Sequence, residues 1–246
     1  MIVKEDFDKE KIAESMTVLW EPLTPDQRKY LVDNIKVHLF EKNETIYKQN
    51  EQPTYLMCLL KGKIKVYMNG VGGRTQIIRV IEQMGIFSYR AAFVNENYKT
   101  SASAFEASTV CMIPINVIRS IIEENNELAV FFIRQLCKML GEADALTVNL
   151  TQKHMRGRLA ESLIILKNKY GYEDDGSTLS IYLSREELAN MSNMTTSNAI
   201  RILSSLASEN IIITDGRKIK IIDEHRLCLI SENGACRRPT TMAGLP

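Results

Sequence analysis

Two short helical patterns, a break and a hairpin signal follow one another between Ser184 and Asp223, and no other stretch limits the fold as tightly. Ser184-Arg185-Glu186-Glu187 sets a cap hydroxyl three residues before a glutamate, a capping box that starts a helix. Leu188, Ala189 and Met191 are its apolar positions. Ser192-Asn193-Met194 interrupts it, and asparagine tolerates the left-handed backbone that a sharp interhelix turn needs. Thr195 can cap a second helix running to about Ser208. Along that helix Ala199, Ile202, Leu203, Leu206 and Ala207 form one buried stripe. Asp215-Gly216 between Ile211–Thr214 and Lys218–Ile222 is a hairpin signal. The order helix, turn, helix, hairpin is a winged helix.

The outer face of the second helix carries Ser197, Ile200, Arg201 and Ser204. Short side chains let a helix lie deep in a major groove, where arginine can donate two hydrogen bonds to guanine. Ile200 suits a thymine methyl or a packing contact. Arg217, Lys218 and Lys220 by the hairpin suit phosphate or plain solvent.

Upstream, residues 1–34 have a helical pattern anchored by Trp20, Leu23, Tyr30 and Leu31. Residues 36–115 read as short strands: Thr45–Tyr47, Tyr55–Leu60, Ile64–Met68, Gln76–Ile81, Ser101–Phe105 and Thr109–Ile113. Asn43, Asn50, Lys61-Gly62, Asn69-Gly70, Gly72-Gly73 and Gly85 punctuate them, as in a small antiparallel barrel or roll. From about Asn116 the texture is helical. Phe132, Leu136, Met139, Ala143, Leu146 and Leu150 step by 4, 3, 4, 3, 4, a heptad seam for pairing two helices. The same stripe could pack on its own β-domain. We expect the dimer seam there, with Ile133, Cys137 and Leu140 facing the roll. Arg158–Tyr170 is an amphipathic helix ended by Gly171, and Thr178–Leu183 is a short strand.

Composition excludes several classes. The chain has 246 residues, with 31 Lys+Arg against 30 Asp+Glu, so DNA binding has to be argued from geometry and not from net charge. Its longest apolar run, Leu128–Ile133, is too short to span a bilayer, and MIVKEDFDKE is no secretory signal. The five cysteines (Cys58, Cys111, Cys137, Cys228, Cys236) show no CxxC or metal spacing, so no metal and no cofactor is expected. A cytoplasmic, membrane-free protein follows. No Ser/His/Asp, Cys/His or paired-carboxylate set is present, and Gly70-Val71-Gly72-Gly73 precedes no helix, so no enzyme is expected.

The segments LKGKIKVYMNGVGGR (60–74), TSASAFEASTVCMIPINVI (100–118), TQKHMRGRLAESLIIL (151–166) and LSREELANMSNMTTSNAIRILSSLASENII (183–212) carry a resemblance to the CRP/FNR superfamily of bacterial transcription regulators. The resemblance implies an α+β chain. Residues 1–115 would be an effector-sensing antiparallel β-roll with a helical lead-in, and 116–152 a long dimerisation helix. Residues 153–230 would be a winged helix-turn-helix domain, and 231–246 a disordered tail. It further implies a homodimer on an inverted repeat in double-stranded DNA, with RNA polymerase as a partner. By position, Arg185, Thr196, Ser197 and Arg201 resemble the DNA contacts and Asn198 a phosphate contact. Ser197 stands where a glutamate is usual, so the operator should deviate at that base pair.

The effector region departs further. Tyr89-Arg90 and Thr100-Ser101 stand where the cyclic-AMP branch has its ribose and phosphate grips, and only Ser101 matches. Ala143 and Asp144 stand where the adenine would be reached. Losing the phosphate guanidinium removes a charge-assisted contact, so cyclic AMP is not expected to act and the small-molecule effector is unidentified. Cys111 resembles a ligand of the iron–sulfur branch, but no cysteine precedes Cys58 to complete a cluster. A haem or redox sensor, with His38, His154 or His225 as ligand, stays an alternative, as does an interaction module whose winged helix binds a protein.

Overall fold

A computed structural model describes residues 7–233. The described chain forms two compact units that divide between Glu142 and Ala143.

In the first unit, α1 (Lys9–Ser15), α2 (Thr17–Trp20) and α3 (Pro25–Asn34) precede eight strands. Asp8 caps α1, and Thr24 with Gln27 forms a capping box on α3. Leu23 and Leu31 are buried as expected, whereas Tyr30 is exposed and anchors nothing. The strands are β1 (Lys36–Phe40), β2 (Thr45–Tyr47), β3 (Tyr55–Lys61), β4 (Ile64–Asn69), β5 (Thr75–Ile81), β6 (Ile86–Phe87), β7 (Ser101–Ala104) and β8 (Ser108–Pro114). They build two four-stranded antiparallel sheets, ordered β1-β8-β3-β6 and β2-β7-β4-β5. A helical turn, α4 (Tyr89–Phe93), interrupts the strand run after Ser88. β1 and β6 are the strands that pattern reading passes over: β1 is mostly exposed, and two residues are too few to show alternation.

The turns follow the residue types that permit them. Asn43 and Asn50 have positive φ, which asparagine tolerates better than most residues. Gly62 has φ +96°, and a Cβ there would stand 2.3 Å from Ser108 Oγ and 2.6 Å from the Ala107 carbonyl oxygen. Only glycine lets the β3–β4 turn approach β8 so closely.

Beyond the strands, α5 (Ile115–Glu124) and α6 (Asn126–Gln152) are separate helices. Asn125 divides them. Its Oδ1 accepts from Leu128 N at 3.0 Å, while its Nδ2 donates to the Pro22 carbonyl and to Gln27 Oε1, each at 2.8 Å. A buried side chain thus caps α6 and ties it to the lead-in helices.

The two apolar stripes of α6 are not covered as expected. Phe132 is buried, and Leu136 and Met139 pack with it against the core of their own unit. Tyr89, Phe93 and Phe131 surround the Phe132 ring at 5.1–5.2 Å between centroids. Ile133 (58%) and Leu140 (64%), assigned to the roll, are exposed, as is Cys137. Ala143 is exposed, and Leu146 and Leu150 are half-buried. Three aromatic rings make the Phe132 side the better-packed one.

The second unit contains the rest of α6, then α7 (Met155–Tyr170), α8 (Arg185–Met191), α9 (Thr196–Ser208), β9 (Ile212–Asp215), β10 (Lys218–Ile221) and α10 (Glu224–Asn233). Thr178–Leu183 is not a strand. Its alternation is real, with Leu179, Ile181 and Leu183 buried, but only the isolated pairs Tyr172–Leu179 and Thr178–Lys220 form. Residues 231–233, assigned to a disordered tail, are helical instead: α10 runs to Asn233, and Ser231 is buried and donates to Glu161. Cys236 and Pro239 lie outside the described residues. No helix among the described residues is long and apolar enough to cross a membrane.

Candidate functional site

The capping box on α8 is complete: Glu187 N donates to Ser184 Oγ at 3.1 Å, and Ser184 N donates to Glu187 Oε2 at 2.9 Å. Asn193 sits in the turn with φ +48°, and Thr195 Oγ1 accepts from Asn198 N at 3.3 Å to start α9. Asn193→Ala is expected to cost about 1 kcal/mol, because a Cβ without a polar tip gains nothing in the left-handed region, while Asn193→Gly should be near neutral. Urea unfolding midpoints of the two variants check this.

Ala199, Ile202, Leu203 and Leu206 hold α9 in the unit, and Leu188 and Ala189 do the same for α8. With that side committed, Thr196, Ser197, Ile200, Arg201 and Ser204 are all exposed, Ile200 to 48%. Arg201 Nη2 donates to Asn198 Oδ1 at 3.2 Å, one turn earlier, so the half-buried Asn198 orients the guanidinium along the helix surface. The five outward side chains form one face with a single cation.

The hairpin is a two-residue turn of Gly216 and Arg217, one step later than the sequence signal, since Asp215 pairs with Lys218. Gly216 has φ +53°, as the first turn position of such hairpins favours. Arg185 Nη2 donates to the Gly216 carbonyl at 2.9 Å, so this arginine ties α8 to the hairpin. Its Nη1 is buried and has no hydrogen-bond partner among the described residues. Lys218 Nζ lies 4.0 Å from Glu173 Oε2 and 5.3 Å from the Tyr182 ring centroid. Lys220 Nζ lies 3.3 Å from Asp175 Oδ2. Arg217 is exposed at the tip. Asp175 accepts from Ser177 N, Thr178 N and Thr178 Oγ1, which together hold its carboxyl well below the usual range.

Two arginines that sequence reading passes over hold the unit together. Arg158 Nε donates to the Ser192 carbonyl at 2.9 Å, and Nη2 to the Asn193 carbonyl at 3.0 Å. Its Nη1 reaches the carbonyls of Leu150 and Lys153 at 3.3 and 3.1 Å. One guanidinium thus pins the interhelix turn to the segment between α6 and α7. Its partners are main-chain carbonyls up to 35 residues away, which leave no mark in the sequence. Arg156 binds Glu209 with two bonds of 2.7 Å and Ser205 Oγ at 2.8 Å, fastening the end of α9 to α7.

The Arg156 contact holds the Glu209 carboxyl below its ordinary value of 4.5, with Ser205 and Arg226 adding to it. A lowered carboxylate pKa contributes stability that is present above about pH 4.5 and lost as pH falls through the folded value. Glu209→Gln should therefore cost about 0.5–1 kcal/mol at pH 7, the range of a partly exposed pair. That difference should shrink below about pH 4.5, as measured by urea unfolding across the pH series.

In the first unit, Tyr89, Thr100 and Ser101 are buried and Arg90 is exposed. Ser101 Oγ accepts from Gln49 N at 2.9 Å, and Thr100 Oγ1 lies 3.4 Å from Tyr47 OH. Cys111 is buried directly opposite Cys58 across β3 and β8. Burial pushes the Cys111 thiol up to about 12 and raises Cys58 as well, so neither is a ready thiolate. His38, His154 and His225 are all exposed, and no cluster of three or more metal-binding side chains occurs among the described residues.

The described architecture has known counterparts. Residues 37–125 match the cyclic nucleotide-binding domain, and residues 157–230 match the Crp-like helix-turn-helix domain. The chain is 26% identical over 189 residues to the global nitrogen regulator of a Nostoc species, covering 75% of this chain and 84% of that protein. It is 23% identical over 206 residues to the cAMP-activated global transcriptional regulator CRP of Salmonella typhimurium, covering 83% and 98%. Among solved structures, FixK2 from Bradyrhizobium japonicum superimposes with a TM-score of 0.72 at 18% identity, covering 79% of this chain and 96% of that one. A CRP/FNR-family transcriptional regulator from Thermus thermophilus gives 0.69 at 20% identity, covering 81% and 100%.

Proposed function

The chain belongs to the CRP/FNR family of DNA-binding transcription regulators, and from that premise we propose that it acts as a homodimer on an inverted-repeat operator. The outward face of α9 carries this reading: Thr196, Ser197, Ile200, Arg201 and Ser204 are exposed while the opposite side is buried. Arg201 donates to a guanine, the short hydroxyl side chains let the helix sit deep, and Ile200 meets a thymine methyl. Ser197 does not reproduce the cytosine contact of a glutamate, so the half-site differs from the family's usual one there. Arg217 and Lys218 meet phosphate from the hairpin. Arg185 serves as a positioning residue for the hairpin, through Gly216, and as a phosphate contact.

Dimerisation uses the exposed stripe of α6, Val130, Ile133, Cys137, Leu140 and Val148. These apolar side chains have no cover among the described residues, and a heptad-spaced pair of helices would bury them. The β-roll senses a small-molecule effector, and RNA polymerase is met at the loop Tyr170–Gly176. The protein works in the cytoplasm and catalyses no reaction.

Selection of bound sequences from random double-stranded DNA tests the proposal. The expected product is an inverted repeat with half-site centres about 34–36 Å apart, one helical turn. Affinity for it should fall with salt by about 0.9 log unit per log unit for each phosphate neutralised. Failure to enrich any repeat, with or without a metabolite pool, would overturn the reading.

A further inference from the structure

Arg79 is a cation on the inner face of a sheet. The pairings Tyr47–Ala102, Val66–Ala102 and Val66–Arg79 make one row across β2, β7, β4 and β5. Directly opposed residues share a face. Tyr47, Ala102 and Val66 belong to the roll's apolar core, and Ile81, two residues from Arg79, belongs to it too. Arg79 therefore points the same way as the core.

Its surroundings do not match its charge. Arg79 Nη1 donates to Met139 Sδ at 3.5 Å, and Tyr89 OH donates to the same sulfur at 3.4 Å. A thioether is a weak acceptor, yet two donors, one fully charged, converge on it. Among the described residues neither Arg79 nor Arg90 forms a salt bridge. Burial lowers the Arg79 pKa, and the charge of Arg90 lowers it further. Glu142 opposes this least of the neighbouring groups and forms no ion pair with Arg79 among the described residues, so two guanidiniums approach each other without a paired carboxylate. Charges taken out of water are normally paired, and like charges brought together call for an anion.

We propose that the roll binds a small oxyanion, bearing carboxylate or phosphate groups, through Arg79 and Arg90 with the Tyr89 hydroxyl as a third donor. This rests on the reading of the roll as the effector-sensing part and names the chemical class of the effector. An oxyanion takes both donors away from the Met139 sulfur. Met139 is part of α6, so the ligand changes what fastens this helix to the roll. Such a ligand acts on α6 only to the extent that it binds the two arrangements unequally.

Calorimetric titration of the full-length protein at constant ionic strength tests this, with inorganic phosphate in one arm and succinate in the other. Saturable binding is expected in at least one arm, and the arm that binds identifies the source of the charge. Arg79→Gln should weaken that binding by about tenfold or more, the loss of a charge-assisted contact. Arg90→Gln, at an exposed position, should weaken it less and keeps the test valid if Arg79→Gln does not fold. Absence of saturable binding up to about 10 mM, weaker than about −3 kcal/mol, overturns the inference. So does binding that neither substitution alters. A mobility shift on the selected operator, run without anion, separates the two readings. Operator binding without anion binding sinks this inference alone, whereas anion binding without operator binding sinks the regulator.

Discussion

Leu140→Glu is expected to turn the protein into a folded monomer that no longer shifts its operator. Leu140 is the most exposed large apolar side chain of α6, with Ile133 about two turns away at the heptad interval. No contact among the described residues is lost when it is replaced, so the monomer should keep its fold by circular dichroism, and thermal unfolding should fall only by the stabilisation that association supplied. In a two-fold dimer each substitution counts twice. Removing two leucines from an apolar seam forfeits about 1.5–3 kcal/mol apiece, and two facing carboxylates oppose association further. Self-association should weaken by more than about a hundredfold, since about 3 kcal/mol already exceeds that factor. Sedimentation velocity reads the mass, and the mobility shift reads the consequence. Leu136→Glu is the contrasting variant: it places a carboxylate in the packed side of α6, and the first unit should lose stability instead. A dimeric, operator-binding Leu140→Glu would dismiss the exposed stripe as the seam.

Arg201→Ala should cost about 1–3 kcal/mol of operator affinity and erase discrimination at one base pair in each half-site. The side chain is exposed and its one hydrogen bond among the described residues is to Asn198, one turn back, so the fold should not register the change. Binding to scrambled DNA, dominated by phosphate contacts, should fall much less. Competition between operator and scrambled duplex separates the two quantities. Unchanged selectivity would mean that α9 does not read bases through this residue. Lys218→Ala is the counterpart: a phosphate contact at the hairpin should weaken both duplexes alike and reduce the salt slope by about one.

The helix-turn-helix was legible in the sequence because its determinants are local. Ser184, Glu187 and Thr195 each bond a backbone group three residues away, and Asn193 takes the left-handed conformation of the turn itself. The alternation of Leu179, Ile181 and Leu183 was equally visible, but alternation reports burial and not pairing. Without a ladder partner that segment is no strand. Arg156 and Arg158 were illegible for the opposite reason. Apart from Leu150 and Lys153, their partners lie 34 to 53 residues away, and every Arg158 partner is a carbonyl of the kind each residue possesses.

What residue order determined by itself was therefore the recognition unit: its caps, its turn, the buried stripe of α9 and hence the outward face with Arg201. Only tertiary structure decided which side of α6 is covered and where Arg79 points. Phe132, Leu136 and Met139 form one apolar stripe of α6, and Ile133, Cys137 and Leu140 form another one residue further on, about 100° around the helix. Periodicity finds both stripes but cannot rank them. The aromatic side chains of Tyr89 and Phe93, brought from α4, decide in favour of Phe132, and the strand register aims Arg79 at Met139. Local backbone preferences act over a few residues, whereas packing is a competition among surfaces that meet only once the chain has folded.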